Sequence, residues 1–284
     1  MMEAVAVAEN KAVYQPFGKR VTTIFRGRPE DWYLGEERGQ REKVFERWGT
    51  DLRNNRVREV FCPKIQAGST LVTGPNSRQG VTDGIKFYVT KPTEAMCLWP
   101  GQAMMFSTAD CPTLLLYDRV NKLLVAGHAG RDSLIDRTYI TTGQRSAKNR
   151  EPSIVNAMAK YLSINDRESL RAFGFGGIGP DHFIHPIDSG DKTYQQANHL
   201  LQAFVIKNYG QDCLNGQRNE KIGRLNLHKI IRSQLEKYGL RYRHDGIDTA
   251  GDCDAHGQPQ RWSHRRDGAR PKRGSNGVLV INCG

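Results

Sequence analysis

Two short segments concentrate side chains able to do chemistry: Ser107-Thr-Ala-Asp-Cys-Pro112 and Ala126-Gly-His-Ala-Gly-Arg131. Each follows an aliphatic, β-branched run that predicts a strand, so Cys111 and His128 both sit at strand ends, where a scaffold presents functional groups. Thr113 to Asp118 and Lys122 to Ala126 predict a hairpin turned at Asp118-Arg-Val-Asn121, which would bring the two residues to one rim. A thiol beside an imidazole has three readings. It can be a nucleophilic Cys–His pair, two ligands of a zinc site, or a structural cysteine next to a hydrogen-bonded histidine. Ala109, Gly127, Ala129 and Gly130 are small enough to let a ligand approach. Asp110 either orients a ligand or a substrate hydroxyl, or caps the turn before Pro112.

The elements that must position these residues are short. Val57 to Phe61, Ser69 to Val72, Ile85 to Thr90, Ala103 to Ser107, Thr113 to Tyr117, Leu123 to Ala126 and Gly277 to Asn282 read as strands. Arg171 to Pro180 reads as a strand running into a glycine-rich turn whose spacing is not that of a dinucleotide fingerprint. Three amphipathic helices are predicted: one capped by Ser153 and carrying Ile154, Val155, Met158, Tyr161 and Leu162; one over Tyr194 to Tyr209, ending at Gly210; one over Leu227 to Tyr238, ending at Gly239. Residues 57–284 hold no repeat or linker and are expected to form one α/β domain of mixed β-sheets with outer helices. Residues 1–56 are expected to be a polar extension packing on that core. Within them, 18–58 are Arg-, Glu- and Gly-rich, predicting a surface position with a polar helix near Glu36 to Trp48.

Composition narrows the class. The 284 residues carry 42 Lys+Arg against 30 Asp+Glu, a formal net charge of +12, which favours an anionic partner or simply keeps the chain in solution. An apolar content of 38% is low but clustered, so a core is feasible. No run approaches the ~18 apolar residues of a membrane span. The N-terminal stretch lacks the basic start of a signal peptide. Six scattered cysteines with no C-x-x-C pair exclude a disulfide framework. These features predict a soluble cytoplasmic protein.

Thr108-Ala-Asp-Cys-Pro-Thr-Leu-Leu-Leu116, Leu124-Val-Ala-Gly-His-Ala-Gly130, Ile178-Gly-Pro180, Leu225-Asn-Leu-His-Lys-Ile-Ile-Arg-Ser-Gln-Leu235 and Trp262-Ser-His-Arg-Arg-Asp-Gly268 resemble, in content and order, the laccase-domain family. That family has been labelled polyphenol oxidase and peptidoglycan editing factor and is regarded as containing zinc-dependent purine nucleoside phosphorylases with adenosine deaminase activity. The resemblance spans about 57–284. It implies a laccase-domain-like fold and a zinc cofactor held by Cys111, His128 and a third residue. Gln66 stands where the family has a histidine, and an amide oxygen is a weaker zinc ligand than imidazole.

Two further departures are visible. After His128 the family continues Trp-Arg-Gly, whereas this chain has Arg131-Asp-Ser133, which keeps a guanidinium shifted by one position. After Pro180, Asp181 and His182 stand where cysteines are common, so His182 or His185 is a candidate for the missing imidazole or an ordinary surface residue. The segment Arg261 to Arg273 carries six basic residues in thirteen. Arg265 and Arg266 match a paired arginine of the family, suited to phosphate, while Arg270, Lys272 and Arg273 read as a solvated loop able to attract nucleic acid weakly. By resemblance, purine nucleosides and phosphate are the partners, with Cys111, His128 and Asp110 catalytic and Arg131, Arg265 and Arg266 binding anions. Two other classes stay open: a metal-free Cys–His hydrolase, and a non-catalytic descendant binding nucleotides or nucleic acid. Copper oxidase chemistry has least support, since the chain has no cluster of His-x-His pairs.

Overall fold

The computed structural model describes residues 6–8, 10–34, 38–65, 71–72, 77–82, 84–90, 92–145, 151–162, 168–187, 190–214, 222–268 and 274–284. Alternation of side chains along strands, with both faces covered, organises it. In the strand Thr113–Asp118 (β11), Leu115 and Tyr117 enter one core, while Leu114 and Leu116 enter another. Leu123–His128 (β12) does the same, with Leu124 and Ala126 on the first side and Val125 on the second. Such strands read as continuous apolar runs because neither face meets water. The result is two facing sheets with helices packed against their outer faces.

The sheet containing β11 and β12 has six strands. Its order is Tyr242–His244 (β16), Leu170–Phe175 (β13), β11, β12, Ala95–Leu98 (β9) and Leu71–Val72 (β6). The predicted hairpin is present, with Thr113 opposite His128 and Asp118 opposite Leu123. The other sheet has eight strands. Its order is Ala6–Ala8 (β1), Lys11–Tyr14 (β2), Val21–Arg26 (β4), Asn276–Asn282 (β17), Gln102–Thr108 (β10), Glu59–Cys62 (β5), Ile85–Val89 (β8) and Ser77–Thr82 (β7). Pro16–Lys19 (β3) lies before β4, and its Phe17 stacks on Tyr117 of the facing sheet at 5.4 Å. Ile184–Pro186 (β14) and Ile222–Arg224 (β15) form a small antiparallel pair.

The helices cover the free face of the six-stranded sheet. Ile154–Tyr161 (α4) starts at Ser153, whose hydroxyl accepts the Asn156 N–H as predicted. Lys192–Tyr209 (α5) is capped by Asp191, and Leu227–Glu236 (α6) by Asn226. Buried Ile230, Ile231 and Leu235 of α6 join Leu114, Leu116 and Val125 in the helix-side core. Arg131–Leu134 (α2), Arg137–Thr142 (α3) and His264–Asp267 (α7) are short, and a 3-10 turn at Gln211–Cys213 follows α5.

The surface position expected for residues 18–58 is corrected by burial. β4 lies inside the eight-stranded sheet against β17; Phe25 is buried between the sheets, where it meets Phe175, while Ile24, Trp32 and Trp48 are buried on the other face of the eight-stranded sheet, the two tryptophans over Gly277. The helix Arg38–Asn54 (α1) is mostly polar, yet Val44, Phe45, Trp48 and Leu52 recur at helical spacing and are all buried. Trp32 and Trp48 pack at 4.7 Å, and the Arg26 guanidinium lies over both rings at 5.3 and 5.1 Å. Arg26 in turn pairs with Asp51 at 2.7 Å. A few large apolar side chains dispersed among charges were enough to build a core face. Strands from both sides of residue 56 thus share one sheet.

The small β14–β15 pair is fastened to α2 through His185, which is wholly buried. Its Nε2 accepts from Arg131 Nη1 at 2.9 Å, and its Nδ1–H donates to the Phe183 carbonyl at 3.3 Å. Accepting from Arg131 at Nε2 requires a neutral ring. Burial, then the nearby Arg131 and Arg265 charges, push its pKa down to about 3.

Two outcomes follow from this packing. Trp48→Ala should lower the unfolding free energy by about 3–5 kcal/mol in chemical denaturation, the range for truncating a fully buried aromatic; a loss under 1 kcal/mol would return α1 to the surface. The second concerns acid. The unfolded His185 takes up a proton near pH 6.5 and the folded one only near 3, so its contribution is present above pH 6.5 and is lost as pH falls through that window. Denaturation of His185→Gln, whose amide can still accept from Arg131, should show an acid limb shallower by up to about 1.4 kcal/mol per pH unit. Parallel limbs for variant and parent would contradict the neutral ring.

Candidate active site

The hairpin delivers Cys111 and His128 to one rim. Cys111 lies two residues before β11 and His128 is the last residue of β12, and the Cys111 sulfur and the His128 ring both stand beside Gly130. Gly130 closes the corner between them. A Cβ placed there would stand 3.0 Å from the Cys111 sulfur and 2.9 Å from the His128 ring carbon Cε1, so the pair can meet only because residue 130 has no side chain.

His128 is oriented from behind by Glu94, a residue that the sequence reading did not single out. Its carboxylate accepts from His128 Nδ1 at 2.6 Å and from the Ser133 hydroxyl at 2.8 Å, and its main-chain carbonyl accepts the His128 N–H at 2.7 Å. Glu94 has no exposed surface, and its Oε1 has no hydrogen-bond partner among the described residues. A carboxylate so enclosed is tolerated only beside strong donors. Burial would push the His128 imidazole down, but the Cys111 sulfur and the Glu94 carboxylate outweigh it and hold the ring well above its ordinary value. With Nδ1 committed to Glu94, Nε2 is the nitrogen left for Cys111 or for a cation. The signal was present in the sequence as an acid placed immediately before the apolar run Ala95–Leu98. Ser133 is the second donor.

Asp110 is committed within the protein. One carboxylate oxygen accepts from the Thr249 hydroxyl at 2.9 Å and the other from the Arg265 N–H at 3.0 Å, in the first turn of α7. It fastens the Cys111 loop to the C-terminal basic segment. The two arginines of α7 differ. Arg266 donates to the carbonyls of Thr249, Ala250 and Arg261 and to the Asp267 carboxylate, which takes up its guanidinium. Arg265 is exposed, lies over the Phe183 ring at 5.2 Å and reaches His185 with its charge. Arg131, the first residue of α2, bonds His185 and is also paired with Asp132 at 2.9 Å. Arg131 and Arg265 therefore converge on one neutral imidazole, whereas Arg266 braces the loop below.

Both further histidines are engaged in hydrogen bonds, His182 through Nδ1 alone among the described residues. His185 uses both nitrogens, and His182 is tied to Asp248 at 2.8 Å. Gln66, Arg270, Lys272 and Arg273 lie outside the described residues. Among the described residues no group of three His, Cys, Asp or Glu side chains is arranged to hold a metal ion. Cys111 and His128 nevertheless form two-thirds of a zinc donor set, and a carboxylate on the far nitrogen is the support a zinc-bound histidine usually has. The residues present fit the ion up to its third ligand.

No helix is long and apolar enough to cross a membrane among the described residues. Three solved structures share the fold. They are YlmD from Geobacillus stearothermophilus, with a TM-score of 0.66, 13% identity and 100% of both chains covered; the Bacillus licheniformis hypothetical protein YfiH, at 0.63 and 18%, covering 96% of this chain and 97% of that one; and the Neisseria meningitidis protein NMB0706, at 0.58 and 16%, covering 97% and 100%. At such identities the likeness is one of fold alone. No curated protein matches the chain. The model of the family described as multi-copper polyphenol oxidoreductase laccase matches residues 93–281, a span that holds Glu94, Cys111, His128, Arg131 and Arg265. The chain belongs to this laccase-domain family.

Proposed function

We propose that the Cys111–His128 cleft cleaves purine nucleosides with phosphate, as a purine nucleoside phosphorylase. The observation that supports this most is the placement of two arginines, Arg131 and Arg265, about a neutral His185 beside a Cys–His pair whose imidazole is fixed by Glu94. In the reaction a phosphate oxygen bonds to ribose C1′ while the C1′–N bond to the purine breaks. The electron pair leaves with the base, which takes up a proton. Arg265 and Arg131 would hold the phosphate dianion, since guanidinium forks match its oxygens. Asp110 acts indirectly, by seating the α7 turn that carries Arg265.

Zinc, held by Cys111, His128 and a third donor, would supply Lewis acidity and a bound water of lowered pKa, the latter suited to deamination of adenosine. Gln66 is the proposed third donor. The remaining task is this chain's own: Glu94 keeps Nε2 of His128 forward, and Gly130 leaves the space between the ring and the sulfur open on one side.

A second reading has a specific observation behind it. Glu94, His128 and Cys111 follow one another as carboxylate, imidazole and thiol, the order of a nucleophilic triad. In a metal-free hydrolase His128 would take the thiol proton while Cys111 attacks an acyl carbon, and would pass it to the departing alcohol or amine as that bond breaks; water would then release the acyl group as a carboxylic acid.

Zinc analysis joined to a nucleoside assay separates the two. Phosphorolysis should release free base and ribose 1-phosphate only when phosphate is present, and Cys111→Ala and His128→Ala should each reduce turnover at least a hundredfold. Gln66→His should raise zinc occupancy. Base release equally fast without phosphate, or zinc-free protein that cleaves acyl substrates, would favour the hydrolase. Arg265→Ala should raise the phosphate KM about tenfold or more, as expected for a charge-assisted contact of roughly 1.5–3 kcal/mol. Arg266→Ala should instead lower stability; a phosphate defect confined to Arg266 would reverse the assignment.

A further inference from the structure

At the opposite end of β11 the two sheets part, and the space between them is a cleft of about 700 Å³. It lies five strand residues from the Cys111 rim, roughly 17 Å at about 3.4 Å per residue. The walls come from β3, β11, β13 and the chain entering β16. Its floor is aromatic: Phe17, Tyr117 and Phe173 all line it. Where the sheet interface is closed, this inner face carries apolar residues; at the mouth it carries Arg171, opposite Tyr117, and Arg243, opposite Phe173. Arg20, Arg119 and Arg241 complete the rim.

Five guanidinium groups thus face one cleft. All five are exposed, and among the described residues no acidic residue lines the cleft and no carboxylate is paired with any of them. Arg171 is held in place by two main-chain carbonyls, of Glu168 and Leu170, at 2.6 and 2.7 Å, which orient its fork without neutralising it. Like charges placed together oppose one another unless an anion joins them. A second feature points inward: Tyr117 is fully buried, and its hydroxyl has no hydrogen-bond partner among the described residues. A buried hydroxyl left alone is costly.

We propose that this cleft binds a small polyanion bearing several phosphate groups, separately from the Cys111 site. Planar forks presented from three directions suit clustered phosphates, and a bounded space of this size suits a small molecule, not a nucleic-acid track. Nucleoside polyphosphates and inorganic polyphosphate share the recognising chemistry. The Tyr117 hydroxyl supplies the neutral hydrogen bond at the floor.

Titration calorimetry of the full chain in phosphate-free buffer, at low and high salt, tests the site with three probes: inorganic tripolyphosphate, ATP and a short oligothymidylate. Both small polyanions should bind in a one-to-one ratio, more weakly at high salt. Arg171→Ala combined with Arg243→Ala should weaken them at least tenfold, while Cys111→Ala should bind as the parent does. ATP tighter than tripolyphosphate by tenfold or more would make the ligand a nucleotide, and equal affinities would make it inorganic; both support the site. Should the double variant fail to fold, single Arg20→Ala and Arg119→Ala changes at exposed positions should each cost about threefold. The proposal is overturned by absence of saturable binding, by unchanged affinity in these variants, by binding of the oligonucleotide alone, or by binding lost in Arg265→Ala instead.

Discussion

The site depends on one buried carboxylate. Glu94 has no contact with water, and taking such a charge out of solvent costs several kcal/mol unless donors meet it. The donors are the His128 ring and the Ser133 hydroxyl, and the main chain of Glu94 also accepts the His128 N–H. His128 is therefore gripped at two points by one residue, which fixes both the position and the rotation of its ring. Everything in front of it follows: the nitrogen offered to Cys111, the side from which a cation could approach, and the need for glycine at 130.

The surrounding fold makes that grip possible by bringing distant segments to one end of a sheet. Glu94 immediately precedes β9, His128 ends β12, Cys111 precedes β11, and pairing of these neighbouring strands sets their separation. The C-terminal turn α7 is then joined by Asp110 and Thr249, with Arg266 bracing three main-chain carbonyls. Arg265 is presented over Phe183, toward the imidazole that Arg131 already holds. Charge is thus divided by role. One arginine is consumed in building the loop and its neighbour stays available to a ligand, while a separate group of five gathers at the far end of the same strand.

Much of this was legible in the residues. The hairpin carrying Cys111 and His128, the Ser153 cap and the amphipathic pattern of α6 all follow from local rules of turn, cap and period, and each is present. Glu94 was not legible because a lone acid before an apolar strand looks like solvated punctuation until the fold buries it. The N-terminal strands were missed for the converse reason. Trp32 and Trp48 are isolated among charged residues, and only the partner strand β17 and the Arg26–Asp51 pair turn them into a core face. The division of labour between Arg265 and Arg266 is likewise tertiary, since adjacent identical residues give no local hint of which one the loop will consume.

Glu94 holds His128 through Nδ1 and so points Nε2 at Cys111. Nitrogen-15 and proton NMR of the His128 ring measures this directly, in the parent and in Glu94→Gln. The parent should show a strongly deshielded proton on Nδ1 that is lost in the variant, because the short bond to a buried carboxylate is its source. An unprotonated Nδ1, or a proton signal indifferent to the Glu94 change, would contradict it.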